Sequence, residues 1–455
     1  MYYSAFFKNI IAVVALLLSF LVAFGQKEWS NWYANGEVLL TFKNGTAEKV
    51  TGFIKDIPPL PPFENIYHFA YWGDGGISYS DPITGEMMFA ISKRLGFGRD
   101  FEDFPNDTLL RSCPDYKKSY QIIPIPDNPG KFYVMQFQSA AHDLAAQETG
   151  LQVRCPNAIG LGYSIVDMSK NGGLGDFTSM NNVLKSGLTD QITYVRHANG
   201  KDVWIIVHPY YTAEYHAILA TANGFKSSVI STIGGLVNGG SGSVGGILES
   251  SHDGKLLAGY RTLPASFGRQ YTDIELFDFD NATGKLSNYR ALPNQGPLTS
   301  MQFSPDNSKL YAITYLHNYS YQQLDQWDFN QPDLAASRTK LFEKKNGDMY
   351  DMQLGPDGKI YVNHYREYTE DDYYNFLMII QCPNLPQYAS NLKLKGIEIN
   401  FPNFPDFIND FINAPKAIPP PKFSIGNDTG ICFGTHTLTA PTGWESYQWS
   451  TGETT

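Results

Sequence analysis

The chain has 455 residues and a formal net charge of −11 at neutral pH, and only 17% of its residues are charged. So acidic a chain, without a clustered stripe of lysine and arginine, argues against nucleic acid as a partner. Aromatic residues make up 14% of the chain, which also contains 41 glycines and 27 prolines. This composition is typical of many short aromatic strands joined by turns, with little long helix.

Residues 1–25 have the pattern of a secretory signal peptide. Lys8 precedes an almost uncharged apolar run at 10–24, and Ala23-Phe24-Gly25 provides the small residues that signal peptidase requires. The run is short for a membrane span, and no later segment approaches spanning length. We therefore expect cleavage before Gln26 and export, to the outside of the cell or the outer-membrane surface. An uncleaved N-terminal anchor is the alternative.

The most informative feature after the signal is an internal repeat. Four segments share a turn rich in Asp, Asn and Gly, followed by a lysine and an apolar strand: RHANGKDVWIIV, SHDGKLLAGY, SPDNSKLYAIT and GPDGKIYVNHY. Their turns centre on Gly200, Gly254, Asn307 and Gly358, at spacings of 54, 53 and 51 residues. Degenerate copies have their turns at Gly85 and Gly130. So regular a period indicates stacked units of one supersecondary motif.

The turn chemistry identifies each motif as the tip of a β-hairpin, because Asp-Gly and Asn-Gly tolerate the positive φ angles of tight turns. About 50 residues hold four short strands and their loops, the content of one propeller blade. Residues 26–413 have room for about seven such units, with six or eight as alternatives. We therefore predict an all-β fold, a β-propeller of about seven blades of the YVTN or WD-repeat kind. WSNWYANGEVLLTF is a candidate strand for closing the ring.

The end of the chain has a different composition. A proline-rich linker at 414–422 precedes residues 423–455, which carry Cys432 early and Trp449 in a strand before a Ser-Thr-Gly turn. This pattern fits the start of an immunoglobulin-like or PKD-like β-sandwich, but the segment is too short to close one. We therefore expect further C-terminal modules of the same full-length chain, with the partner of Cys432 among them.

Much of the chain resembles a family of large surface proteins of Bacteroidetes. These proteins carry an N-terminal propeller, immunoglobulin-like or PKD-like modules and a gliding motility-associated C-terminal sorting domain. The matching stretches are NWYANGEVLLTF, GYSIVDMSKNGGLGDF, ITYVRHANGKDVWIIVH, LFDFDNATGKLSN, FSPDNSKLYAIT, LGPDGKIYVNHY and FPNFPDFINDF, which together cover most of residues 31–412. The resemblance implies export to the cell surface by type IX secretion.

The four cysteines have no spacing typical of a zinc site. Cys113 and Cys155 occur in similar turn contexts, SCPD and RCPN, and could form a disulfide in an oxidising compartment, although sequence alone leaves the connectivity open. Cys382 occurs in a third such context, QCPN, and is predicted to be a free, buried thiol.

Three histidines at the ends of repeat strands are candidate ligands of a transition metal: His208, His317 and His364. Their distances along the chain from the turn lysines are 7, 8 and 5 residues, so His317 is expected on the opposite face of its sheet. Ordinary polar strand ends are therefore the favoured interpretation, and no metal is predicted.

Two acidic loops are candidate calcium sites. One loop contains Asp100, Glu102, Asp103 and Asp107, and the other contains Glu370, Asp371 and Asp372. Neither has the spacing of a calcium-binding loop, so solvated loops are the favoured interpretation and no cofactor is predicted. Four tyrosines flank the second loop and are candidates for a ligand-binding surface: Tyr365, Tyr368, Tyr373 and Tyr374. Rings in such a setting stack on sugars or peptides, or simply pack strands.

No catalytic constellation is recognisable in the sequence. It contains neither G-x-S-x-G nor H-E-x-x-H, and the glycine-rich stretch 234–246 lacks the lysine of a phosphate-binding loop. The favoured hypothesis is a non-enzymatic exported protein whose propeller is an interaction platform for an extracellular glycan or protein, as in adhesion. The alternative is an exported propeller enzyme of lactonase-like or quinoprotein-like type. Such an enzyme requires charged or metal-binding side chains that converge from at least three blades on the central channel.

Overall fold

The computed structural model describes residues 27–34, 37–50, 76–92, 94–106, 110, 120–138, 160–236, 246–261, 273–294, 296–316, 321–345, 349–364 and 376–398. All of these residues belong to the first of two compact units, 1–414 and 415–455. The predicted signal peptide, the proline-rich linker and the start of the predicted β-sandwich module lie outside the described residues. Among the described residues, no helix is long and apolar enough to cross a membrane.

The described residues form seven antiparallel sheets, which we number as blades in chain order. Blade 1 contains β1 (Asn31–Ala34), β2 (Glu37–Thr41) and β3 (Glu48–Lys49), and blade 2 contains β4 (Ile77–Ser80), β5 (Met87–Ser92) and β6 (Leu95–Gly98). Blade 3 contains β7 (Tyr120–Pro124), β8 (Lys131–Gln138), β9 (Gly160–Asp167) and β10 (Asp176–Lys185). Blade 4 contains β11 (Leu188–Arg196), β12 (Val203–Pro209), β13 (Glu214–Thr221), β14 (Gly224–Phe225) and β15 (Val229–Thr232).

The last three blades have four strands each. Blade 5 contains β16 (Gly246–Ser250), β17 (Leu256–Arg261), β18 (Ile274–Asp280) and β19 (Lys285–Leu292), and blade 6 contains β20 (Leu298–Phe303), β21 (Lys309–Leu316), β22 (Tyr321–Asp328) and β23 (Thr339–Lys345). Blade 7 contains β24 (Met349–Leu354), β25 (Ile360–His364), β26 (Phe376–Ile380) and β27 (Leu392–Glu398). Short 3-10 helices occur at Asn171–Gly173 and Gln387–Ser390. The prediction of an all-β, seven-bladed β-propeller is confirmed.

The repeat turns lie where the sequence predicts them. Each joins the first strand of a blade to the second, and each central residue has a positive φ: Gly85 (75°), Gly130 (79°), Gly200 (74°), Gly254 (65°), Asn307 (62°) and Gly358 (75°). Because the blades repeat the same strand order around the ring, these tips lie on one side of it. We call this side, formed by the tips at 81–86, 125–130, 197–202, 251–255, 304–308 and 355–359, the hairpin face.

The blades are joined by an aromatic residue three or four positions after the turn. Tyr133 Oη donates to the carbonyl oxygen of Thr221 at 3.0 Å, and Trp204 Nε1 donates to that of Asn281 at 2.9 Å. Each bond connects the second strand of one blade to the third strand of the next blade or the turn after it. A buried ring with a satisfied polar atom therefore fixes neighbouring blades to each other.

The ring closes by side-chain packing. Trp32 on β1 contacts Tyr361 on β25, with 5.3 Å between the ring centroids, and Phe42 contacts the same ring at 5.7 Å. The prediction that the N-terminal segment adds a closing strand to the last blade is wrong for the described residues. β1 instead pairs with β2, Trp32 opposite Leu40, because the chain turns back after Ala34. The first strands therefore form a blade of their own.

Candidate functional site

A cleft of about 540 Å³ lies on the hairpin face, between the tips of blades 2, 3 and 4. Four separate segments supply its lining: residues 28–29 before β1, parts of the 79–88 hairpin, residues 124–132, and parts of the 196–203 hairpin. Its volume is within the range of small-ligand and peptide sites. Of the site residues predicted from the sequence, those that the structure describes lie outside this lining.

The segment before β1 is held in the cleft by backbone hydrogen bonds to blade 2. Lys27 N donates to the carbonyl oxygen of Pro82 at 3.2 Å, and Ser80 N donates to that of Glu28 at 2.6 Å. Next to them, Asn31 Nδ2 donates to the carbonyl oxygen of Gly85 at 2.8 Å. Glu28 and the residue after it are therefore fixed against the first hairpin tip.

Three aromatic rings form an apolar wall of the cleft. Trp29 packs edge-on against Tyr79 with centroids 5.6 Å apart, and Tyr79 contacts Phe132 at 4.6 Å. Their exposed fractions are only 5%, 5% and 3%. The rings thus give the cleft an apolar lining, but none presents a full face on which a sugar could stack.

Two opposite charges meet in this poorly hydrated setting. Burial raises the pKa of Glu28, against the effects of a backbone hydrogen bond and of the Arg196 charge. Burial likewise lowers the pKa of Arg196, and the Glu28 carboxylate opposes this. Glu28 Oε2 is buried and has no hydrogen-bond partner among the described residues. The cleft therefore contains a carboxylate oxygen whose hydrogen-bonding capacity is unused there.

Further charged groups surround this pair. Backbone N–H groups of Thr84 and Ile83 donate to Asp81 Oδ1 at 2.7 and 2.9 Å, and these bonds lower the pKa of Asp81. At the rim, Lys201 Nζ on the blade 4 tip lies 2.7 Å from Asp127 Oδ1 on the blade 3 tip, and this hydrogen bond raises the pKa of Lys201. Asp81 and Lys201 are therefore both charged at neutral pH.

This arrangement is suited to binding a ligand of mixed polarity. Among the described residues, those that line the cleft include no serine, cysteine or histidine. Burial and the neighbouring Glu28 carboxylate raise the pKa of Tyr79, so its hydroxyl stays neutral. In the part of the chain that the structure describes, no group of three or more His, Cys, Asp or Glu side chains could hold a metal ion.

The inner strands carry a different set of polar groups. Glu249, Gln302 and Gln353 each lie five residues before the turn residue of their blade, and all three are buried. At the same position, blades 2, 3 and 4 have a serine, an isoleucine and a valine. Among the six described positions of this kind, the repeat therefore supplies one carboxyl and two amides.

The structure describes one of the three candidate metal ligands in full. His208, at the end of β12, is 1% exposed, and its ring packs edge-on against Tyr215 with centroids 4.7 Å apart. Its Nδ1 lies 2.9 Å from the carbonyl oxygen of Pro209. His317 and the side chain of His364 lie outside the described residues.

The other predicted site residues are only partly described. Asp100, Glu102 and Asp103 are exposed after β6, where Asp100 Oδ1 accepts a hydrogen bond from Glu102 N at 3.2 Å. The residues outside the description are Asp107, Glu370, Asp371, Asp372, Tyr365, Tyr368, Tyr373, Tyr374, Cys113 and Cys155.

Cys382 is a free thiol, as predicted, but it is exposed and not buried. The prediction of burial is wrong because Cys382 lies in the turn between β26 and β27, where its N–H donates to the carbonyl oxygen of Ser390 at 2.9 Å. The turn holds the residue at the surface of the blade.

No protein-family model matches the chain, and no curated protein matches it. Among solved structures, hydrazine synthase from Kuenenia stuttgartiensis is 11% identical with a TM-score of 0.35, over 65% of this chain and 73% of that one. A gluconolactonase from Xanthomonas campestris is 11% identical with a TM-score of 0.32, over 52% and 70%. A functionally unknown protein from Desulfotomaculum acetoxidans is 10% identical with a TM-score of 0.33, over 73% and 95%. Similarities this low assign no activity to this chain.

Proposed function

We propose that the protein is an exported, non-catalytic interaction platform, and that the cleft on the hairpin face is its binding site. The observation that carries this proposal is the composition of the cleft: an apolar aromatic wall beside a half-buried carboxylate whose Oε2 is buried and unused as an acceptor, that of Glu28. Buried polar groups are normally hydrogen-bonded, so an unpaired one requires an explanation, and a ligand in the cleft provides it.

A propeller enzyme would require a different arrangement of side chains. It needs charged or metal-binding groups converging from several blades. The equivalent inner-strand position supplies Glu249 with two amides, Gln302 and Gln353, and the described lining of the cleft contains no serine, cysteine or histidine. We therefore favour binding over the lactonase-like alternative.

Export is the second part of the proposal. It is supported by the charge and apolar run of residues 1–25 and by the resemblance to surface proteins of Bacteroidetes. Expression of the chain in a bacterium with a C-terminal epitope tag tests it: a mature N-terminus at Gln26 outside the cytoplasm is expected. An intact N-terminus on a cytoplasmic product would contradict it.

Binding is tested with the purified chain on peptide and glycan arrays. Lys201→Glu reverses a charge at the rim and places two carboxylates together with Asp127, so we expect it to change the affinity of a cleft ligand at least tenfold. Lys340→Glu is the matched control, because Lys340 forms a similarly exposed ion pair with Glu343, at 2.9 Å, on blade 6. Equal effects of the two variants, or no retention of any probe, would contradict a binding role for the cleft.

A further inference from the structure

We propose that the ligand of the cleft is a polypeptide segment that inserts a basic side chain, a lysine or an arginine, against the carboxylates of Glu28 and Asp81. This inference rests on the proposed function and names the chemistry of its ligand. Neither carboxylate was identified from the sequence as part of a site.

The Glu28 carboxylate has an acceptor oxygen that is not used within the described structure. Glu28 Oε2 is buried, and no described residue donates a hydrogen bond to it. A desolvated carboxylate is most strongly satisfied by a charged N–H donor, which forms a shorter and stronger hydrogen bond than a neutral hydroxyl does. An ammonium or guanidinium group is therefore the best partner for this oxygen.

The charges of the cleft also favour a cation. Asp127 is neutralised by Lys201 at 2.7 Å, and Lys131 by Asp167 at 3.4 Å. The remaining charged residues of the lining are Glu28 and Asp81, which are acidic, and Arg196, which is basic. The lining itself has three acidic and three basic residues, but Lys131 is paired with Asp167, which lies outside the lining, so one negative charge remains and the cleft attracts a cation more than an anion or a neutral group.

The cleft also has apolar surface that suits a long side chain. Met88, Pro82 and Pro129, which are not fully buried, provide apolar surface in the lining. The aliphatic stem of a lysine or arginine packs on such a surface while its charged end reaches a polar partner. Because the aromatic rings are almost fully buried, sugar stacking does not offer a comparable fit.

The test uses N-acetylated, C-amidated peptides that differ at one position, which is lysine, arginine, acetyl-lysine or citrulline. Affinity for the purified chain is measured by fluorescence anisotropy. We expect the lysine and arginine peptides to bind at least tenfold more tightly than their neutral counterparts. Glu28→Gln should abolish this preference, whereas Glu343→Gln, which neutralises an exposed carboxylate on blade 6, should leave it unchanged.

The pH dependence adds a readout that a purely structural role of Glu28 would not give. Burial holds the pKa of Glu28 above its ordinary value, and the cation binds the ionised form. Affinity for the lysine peptide should therefore fall as the pH is lowered through this raised pKa. In Glu28→Gln this dependence should disappear.

The outcomes separate this inference from the proposed function. Equal binding of charged and neutral peptides, still altered by Lys201→Glu, would overturn the basic-residue inference and leave the cleft as a binding site. Binding of glycans and of no peptide, with the same dependence on Lys201, would do so too. Loss of any difference between Lys201→Glu and Lys340→Glu would overturn both proposals. If Glu28→Gln does not fold, the comparison of lysine with acetyl-lysine on the unaltered chain decides the matter.

Discussion

Blade 6 and the cleft both bury charged side chains, but they pair them differently. In blade 6 the Asp325 carboxylate accepts hydrogen bonds from Arg338 at 2.7 Å and from Gln323 at 2.6 Å. Also in blade 6, the buried Lys309 lies 3.0 Å from Asp328. In the cleft, Glu28 Oε2 lacks such a donor among the described residues. Complete pairing is expected of charges that hold the fold, and incomplete pairing of charges that serve a ligand.

The largest loss in the free energy of unfolding is expected where a buried, fully paired charge loses its partner. In Arg338→Met, the Asp325 carboxylate, 0% exposed, is left without its cation, and the contact of Arg338 with the Trp327 ring at 5.2 Å is lost. Removing one member of a buried pair costs about 3–5 kcal/mol, and we expect that loss in the free energy of unfolding. Urea denaturation measures it.

The control for this variant is Glu343→Gln. It removes the exposed ion pair with Lys340 in the same blade, where solvent screens the charge, and leaves the Lys340 ammonium opposite Asp325, so no change in the urea midpoint is expected. Similar losses in both variants would show that the arginine contributes no more than a surface charge, and the contrast between blade 6 and the cleft would lose its basis.

The regular blades were predictable from the sequence because each repeat encodes its own turn. Gly254 and Asn307 have the positive φ that their Asp-rich and Asn-rich contexts require, and both lie at the predicted hairpin tips. These are local constraints that a single segment of chain satisfies. The aromatic residue that joins blades, such as Trp204 after the tip at Gly200, was also visible in the repeats, although its role depends on the next blade.

The cleft was not predictable in the same way. Glu28 precedes the first blade and Arg196 ends the inner strand of the fourth, so the ring must form before they meet. No spacing rule connects two such residues. The predicted closing strand was also wrong, since β1 pairs with β2, its neighbour along the chain, and not with the last blade. A charged residue at the edge of an apolar segment, as in TYVRHANG, was the one local signal.

Two hairpin tips differ in how closely the neighbouring blade packs against them. A Cβ on Gly254, at the blade 5 tip, would lie 2.5 Å from Val195 Cγ1 of blade 4, whereas one on Gly200, which lines the cleft, would have no atom within 4 Å. Both residues have positive φ. We expect Gly200→Ala to cost about 1–2 kcal/mol from backbone strain alone, and Gly254→Ala to cost about 1–3 kcal/mol more from overpacking.

Thermal and urea unfolding of these two variants check the difference. The pair controls for the turn itself, because the same substitution is made at the same position of two repeats. Equal costs would mean that neighbouring tips yield to each other without strain, and that the cleft is no more open than the rest of the hairpin face.

The smallest change in the free energy of unfolding is expected for Glu28 in the cleft. There, removal of the charge should stabilise the fold, whereas the other substitutions destabilise it. The folded pKa of Glu28 lies above its ordinary value of 4.5, so between these two values the folded state binds more protons than the unfolded state does. Stability contributed by this group is therefore present below pH 4.5 and lost as the pH rises through the folded pKa. We expect Glu28→Gln to match the unaltered chain in acid and to be more stable at neutral pH, by an amount on the order of 1 kcal/mol.

For Asp328 in blade 6, the contribution to stability is expected to change with pH in the opposite direction. Burial alone would raise its pKa, but hydrogen bonds from Asn330 N and Lys309 Nζ outweigh this and hold the pKa below the ordinary 3.8. Its contribution is therefore present above pH 3.8 and lost as the pH falls through the lower folded value. Asp328→Asn should lower stability at neutral pH, where Glu28→Gln raises it. Urea midpoints recorded from pH 3 to pH 8 distinguish the two, and a Glu28→Gln chain that is less stable at every pH would show that Glu28 serves the fold and not a ligand.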